Sequence, residues 1–330
     1  MSLVKRSVLL VGLLLVVAGA VWVWGNRQFL YDWQTVQSYT PSAEIAAIPP
    51  LAGMSDRGKF LFYATEPVVS EATEFNQQCT RREATAAILG CYDGVNIYIY
   101  RVDNPELSGI TEVTAAHEML HAVWSRMSTK EKTHLERHLE QVYERVKTDA
   151  LEERMAYYER QQPGERVNEL HSILATEFTE LDEELERHYA QYFVDRQAVV
   201  RLHTSYETVF TALKKQSESL RQEAEAMLAA LNADIAVYNA AVTKLEAEIT
   251  AHNNRANTID NTSYAEVNAY NAAQGALMAR RAHLEQEERS LDRRQGEYQE
   301  KIRQYNSLVI RSETLTNSMD SLKSSSDTAE

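Results

Sequence analysis

Two histidines four residues apart, with a glutamate directly after the first, are the side chains in this sequence best suited to chemistry: His117-Glu118-Met119-Leu120-His121. On an α-helix, positions i and i+4 share one face, so both imidazoles can reach a single metal ion. Zn2+ is the ion this H-E-x-x-H pattern suits, and Glu118 can accept a proton from a water held there. The bland alternative is a pair of structural histidines, each needing a polar partner in an apolar helix. It leaves Glu118 without a duty, and zinc is the stronger reading.

Several elements must position this stretch. Asn96 to Val102 alternates with period two, Ile97, Ile99 and Arg101 on one face and Tyr98, Tyr100 and Val102 on the other. It reads as a strand, and its place before the metal helix suggests an edge strand that an extended peptide could join. Lys59 to Ala64 reads as another strand, Ser42 to Ile48 as a short helix capped by Ser42, and Ala86 to Leu89 as a short apolar run. The metal helix is expected to begin near Thr111, which can cap it, with Glu112 in its first turn. Ser128 to Gln161 reads as one long polar helix buried along Leu135, Leu139, Val142, Tyr143 and Val146. Pro163-Gly164 ends it, and a second apolar helix follows from Glu165 to Phe178.

Thr114 to Trp124 resembles the active-site helix of zincin metallopeptidases. The metzincin continuation is absent, because Trp124 and Met127 stand where that branch has glycine and histidine. The resemblance therefore implies the gluzincin branch, in which a glutamate on a later helix is the third zinc ligand. It covers roughly residues 60–180, and only the H-E-x-x-H is a specific motif within it. An exported anchor, a small zincin domain and a coiled-coil tail together are similar to uncharacterised bacterial membrane-anchored proteins.

Three residues compete for the third position. Glu177 falls inside the apolar stripe Val167, Leu170, Ile173, Leu174, Phe178 and Leu181, where a carboxylate needs a counter-charge. It stands first. Asn168-Glu169 resembles the Asn-Glu pair of thermolysin-like enzymes, but Ile173 occupies the place of their following aspartate, so Glu169 comes second. His171, on one shoulder of the stripe, is third. Glu140, 19 positions after His121, points away from its helix's buried side and is set aside. His188, Tyr189 and Tyr192 are the candidates for a group that assists the reaction, with aromatic packing as their alternative duty.

The chain has 330 residues, 44% of them hydrophobic, with only 11 Gly and 6 Pro, which leans towards helix. A net charge of -14 argues against nucleic acid as a partner. Lys5 and Arg6 precede an uncharged run from Ser7 to Trp24 whose 18 residues reach the lower range of a bilayer span. This predicts a single-pass plasma-membrane anchor, N-terminus in the cytoplasm and the rest outside. Cleavage of a signal sequence near Ala20 is the alternative, and it exports the same remainder. Once exported, Cys79 and Cys91 become candidates for one disulfide; their spacing suits no metal.

From about Asp182 the sequence is almost wholly helical. Leu228, Leu231, Ile235, Tyr238, Val242, Leu245 and Ile249 form a heptad seam, and Tyr270, Leu277, Leu284, Leu291, Tyr298 and Tyr305 recur every seven residues. The polar stretch Asn253 to Ser263 between them predicts an antiparallel hairpin, with a coiled-coil partner or a homodimer as the alternative pairing.

The expected fold is thus α+β, with an anchor at 1–27, a zincin-like domain at 28–181, a helical hairpin at 182–320 and a disordered tail at 321–330. The expected function is a zinc metalloendopeptidase acting on peptides or proteins. The competing reading is a non-catalytic cell-envelope coiled-coil protein carrying a degenerate zincin-like domain.

Overall fold

The structure is a computed structural model that describes residues 3–79 and 88–323. It is mostly helical, with one small sheet. Helix α1 (Leu3–Gly25) leads into α2 (Arg27–Ser38), and from Leu13 to Trp24 its large apolar side chains are exposed, Trp24 by 73%. Helix α3 (Ala43–Leu51) begins as expected at Ser42, whose hydroxyl accepts from the Ile45 N–H at 3.2 Å. Pro49 and Pro50 lie in its last turn.

Lys59 to Ala64 is not a strand. It lies in and just after α4 (Asp56–Tyr63), because Ser55 caps the Gly58 N–H at 3.1 Å and buries Gly58, Leu61 and Phe62 at helical spacing. The sheet instead consists of β1 (Val68–Ser70), β2 (Gly90–Tyr92) and β3 (Ile97–Tyr100), in the order β1-β3-β2. β1 pairs parallel and β2 antiparallel to β3. The segment expected as an edge strand is therefore the centre of the sheet, with Ile97 and Ile99 fully buried. The edge towards the helix that carries His117 and His121 is β2, only three residues long and too short to announce itself by alternation. Helix α5 (Ala72–Gln78) covers Tyr100 with Phe75, and a Cys79–Cys91 disulfide ties its end to β2. Ala86, in the predicted apolar run, lies outside the described residues; Leu89 accepts from the Tyr100 N–H at 2.8 Å.

Helix α6 (Ile110–Arg126) is the central element, packed against α3, α4, β2, β3 and the later α9. It starts at Gly109 rather than at a Thr111 cap. Gly109 adopts φ 96°, and a Cβ there would come within 3.0 Å of the Leu202 side chain, so turn and packing both call for glycine. The predicted long polar helix is two: α7 (Thr129–Val146), opened by a Ser128/Glu131 capping box, and α8 (Asp149–Gln161), capped by Thr148. Leu135, Leu139, Val142 and Tyr143 form the buried stripe of α7. Helix α9 (Arg166–Glu177) follows the Pro163-Gly164 turn, and α10 (Glu183–Tyr189) is capped by Asp182.

Two long helices complete the chain, α11 (Arg196–Arg255) and α12 (Tyr264–Ser318). The chain divides into two compact units, residues 1–210 with 314–330, and residues 211–313. The first unit reaches past the boundary expected near residue 182, because Leu185, Tyr189, Tyr192, Phe193, Val199 and Val200 are all buried. In the same unit Ser321, placed by the sequence in a disordered tail, is buried and exchanges hydrogen bonds with Asn76 at 2.7 and 3.1 Å. Residues 324–330 of that tail lie outside the described residues. The second unit is an antiparallel helix pair, with Glu223, Asp234 and Glu248 of α11 bridged to Lys301, Arg294 and Arg280 of α12. Its seam buries Leu231, Leu245 and Leu284, and His252 stacks on Tyr270. Among the described residues, one helix, α11, is long and apolar enough to cross a membrane; Leu13–Gly25 and Arg27–Ser38, bent by 68°, add a second only when the pair is counted as one span.

Candidate metal centre

His117 and His121 sit one turn apart on α6, ring centroids 4.8 Å apart, and a carboxylate from α9 meets them both. That carboxylate is Glu169: its Oε2 lies 3.5 Å from His117 Nε2 and its Oε1 3.6 Å from His121 Nε2. The three offer one ligand atom each within 4.8 Å of one another, a group that could hold a metal ion. Glu169 is 4% exposed and its Oε2 has no hydrogen-bond partner. A buried carboxylate oxygen left unpaired is costly, and a cation between the three side chains would satisfy it. Two imidazoles and one carboxylate are a fitting donor set for such an ion.

The hydrogen bonds behind the cluster orient it. Asn168 donates from Nδ2 to Glu165 Oε2 at 2.8 Å, which turns its Oδ1 to His121 Nδ1 at 3.0 Å. His121 then carries its proton on Nδ1 and keeps Nε2 as a free lone pair. Burial pulls the His117 pKa down, but the Glu169 carboxylate 3.5 Å away, ready to accept the ring proton, and the charge of Glu118 outweigh it and raise it. Burial likewise opposes ionisation of Glu169, and the facing histidines reverse the balance and lower its pKa.

Glu118, also buried, has its carboxyl pKa raised, first by burial and against the pull of the two histidines. It rests against the β2 backbone: a Cβ on Gly90 would fall 2.9 Å from Glu118 Cγ and Oε1 and 2.6 Å from Thr114 Cγ2. In the β2–β3 ladder, Leu89 and Asp93 make the bonds to β3 on either side, Tyr100 N–H to Leu89 O and Asp93 N–H to Asn96 O. By alternation the backbone groups of Gly90 and Tyr92 turn outwards, and the Tyr92 amide favours the ionised form of Glu118. All of this opens on a cleft of about 880 Å³ that Tyr158, Arg154 and Trp124 also line.

The other sequence candidates stand elsewhere. Glu177, first in order from the sequence, makes a two-pronged ion pair with Arg154 at 2.9 and 2.6 Å and lies 3.6 Å from His203 Nε2. Eight residues after Glu169 on the same helix, it is displaced about 12 Å along the axis and cannot join the same ion. Helix α9 is buried nearly all round, from Glu169 to Thr176, so its apolar stripe does not single out the side facing the histidines. His171 turns the other way, 2.9 Å from His188 Nε2 and beside Trp124. Burial, then the charge of His188, push its pKa well down. Glu140 pairs with Arg166 at 3.0 Å.

The assisting candidates behave as packing residues. Tyr189 donates to His171 O at 2.8 Å, Tyr192 lies under Arg57, and burial depresses His188 to about 4. Tyr158, passed over in the sequence, lines the cleft instead; burial, then the charge of Glu169, raise its pKa and keep its phenol protonated. Gly90, at the end of a short apolar run, carries no chemical signal of its own in the sequence. No family model, no curated protein and no solved structure matches this chain.

Proposed function

We propose that the protein is a membrane-anchored zinc metallopeptidase of gluzincin type, acting outside the membrane on peptide or protein substrates. The observation that carries this reading is the juxtaposition of a partly buried His117, His121 and Glu169 cluster with the carboxyl of Glu118 on one cleft. Two histidines and a carboxylate also suit iron(II), but a neighbouring carboxyl poised as a base favours hydrolysis at zinc.

A bound zinc ion supplies a Lewis acid that brings the pKa of water towards 7 and stabilises negative charge on a carbonyl oxygen. Glu118 takes the proton of the attacking water and then delivers it to the leaving amine. Its seat against Gly90 fixes the carboxyl beside the reacting atoms. The outward backbone groups of Gly90 offer an extended substrate a strand edge to pair with, while the Tyr92 amide serves Glu118. The protonated phenol of Tyr158 can donate to the oxygen that gains charge.

The anchor reading rests on α1, whose exposed apolar run ends in Trp22 and Trp24. Part of α11 is apolar enough to span, yet its Glu223, Asp234 and Glu248 pair with α12, and three such bridges suit water better than hydrocarbon. The Cys79–Cys91 disulfide agrees with an oxidising compartment.

Peptide hydrolysis by the full chain in detergent micelles tests the proposal. Cleavage of a mixed peptide library should stop with chelator, return with zinc, and be absent from Glu118→Gln, which retains the metal. Cleavage by Glu118→Gln at the parent rate would refute the assignment of the base. A parent that holds no metal and cleaves nothing would favour the coiled-coil reading.

A further inference from the structure

The charged group that α2 buries reaches the neighbourhood of the base by a short path. Asp32 is 2% exposed and accepts two bonds from Arg126, from Nε at 2.8 Å and from Nη2 at 2.7 Å. Arg126 is the last residue of α6, nine positions after His117. Its remaining nitrogen, Nη1, donates to the Ala122 carbonyl at 2.9 Å and to the Tyr92 phenol oxygen at 3.2 Å. The phenol in turn donates to Gly94 O at 2.7 Å. Tyr92 is therefore held at both its lone pair and its proton, and it ends β2, the strand whose backbone Glu118 rests on.

A guanidinium suits this position because its planar fork holds a carboxylate with two donors and keeps further donors in fixed directions. Lysine offers a single point charge and cannot span Asp32, a helix-end carbonyl and a phenol together.

Resting on the peptidase reading above, we propose that Asp32 and Arg126 are positioning residues for Glu118: through Tyr92 they hold β2 against the base, and so make the active geometry depend on the seating of α2. None of the three side chains touches the metal cluster, so they act on the placement of the base and leave the ligands alone. Because α2 follows α1 after one residue, a displacement of the anchor would move Asp32 and, through it, Arg126.

The test compares the full-length parent in micelles with Asp32→Asn, Tyr92→Phe and the double variant, reading metal content, kcat, KM and hydrogen–deuterium exchange of the peptide spanning β2. Tyr92→Phe keeps the β2 backbone and guards against an Asp32 variant that does not fold. Asp32→Asn should lower kcat about tenfold with KM little changed, less than the roughly 100-fold that a full 1 Å misplacement of a reacting group can cost. Tyr92→Phe should lower kcat by about fivefold, and the double variant should be no worse than Asp32→Asn, since all act along one path. Metal content should stay at the parent value, while β2 exchanges faster and α9 does not.

Effects that multiply in the double variant, or β2 exchange equal to the parent in both single variants, would overturn the proposal. An inactive parent would remove the peptidase reading and with it the role as positioning residues. Faster β2 exchange in that case would preserve the clamp between α2 and β2.

Discussion

In the first unit some arginines are sunk into the packing with their partners, whereas the ion pairs across the helix pair of the second lie in water. Arg196, 6% exposed, meets Glu186 and also donates to the carbonyls of Ala175, Phe178 and Thr179, closing the C-terminal end of the helix that carries Glu169. In the helix pair, Arg294 and Asp234 bridge at 2.5 Å with side chains 35% and 52% exposed. The same chemistry therefore does different work. Buried, an arginine satisfies carbonyls that nothing else can reach, and removing it strands them. Exposed, each partner falls back on water, and the pair contributes little.

The largest break in this contrast should come from Arg196→Ala. We expect the first unit to lose about 3–5 kcal/mol, the scale for leaving three carbonyls without partners at about 1–3 kcal/mol each, since Glu186 is half-exposed and falls back on water. Urea unfolding followed by the fluorescence of Trp124 measures it, and a loss below about 1 kcal/mol would erase the distinction.

Acid should produce the next effect. His188 is depressed to about 4, by burial first and the charge of Arg57 second, and His171 is lowered well below its usual value by burial and His188. The unfolded chain binds these protons near pH 6.5, so stability is complete above that value and is lost as pH falls towards 4. For His188 alone this amounts to about 2–3 kcal/mol. Unfolding free energies at successive pH values should show the loss in the parent, and His188→Gln should flatten it.

Gly109→Ala should cost about 1–3 kcal/mol, since it combines a left-handed backbone angle with a contact on Leu202. A thermal melt reads this. At the small end, Lys301→Ala in the helix pair should change stability by less than about 1 kcal/mol, with the helix signal of the parent retained.

Legibility in the sequence divides along similar lines. The heptad seam was readable because each of its positions repeats one rule, and the antiparallel pairing of α11 with α12 agrees with it. His117, Glu118 and His121 were readable because their spacing on one helix is itself the geometry. Glu169 was not singled out, because its choice over Glu177 depends on which side of an all-round buried helix faces α6. Periodicity carries no such information once both sides are packed. The Lys59–Ala64 strand failed for a local reason, since its Phe-Leu-Phe-Tyr run has a strand's composition but follows a serine cap that starts a helix. β2 was invisible for its length, and with it the contact between Gly90 and Glu118.

Metal analysis of the purified full chain, run beside Glu169→Ala and Glu177→Ala, tests the central claim most directly. The parent and Glu177→Ala should each hold about one zinc per chain, and Glu169→Ala should have lost it, as expected when one of three protein ligands is removed. Zinc that survives the loss of Glu169 but not of Glu177, or a parent free of zinc, would contradict the account.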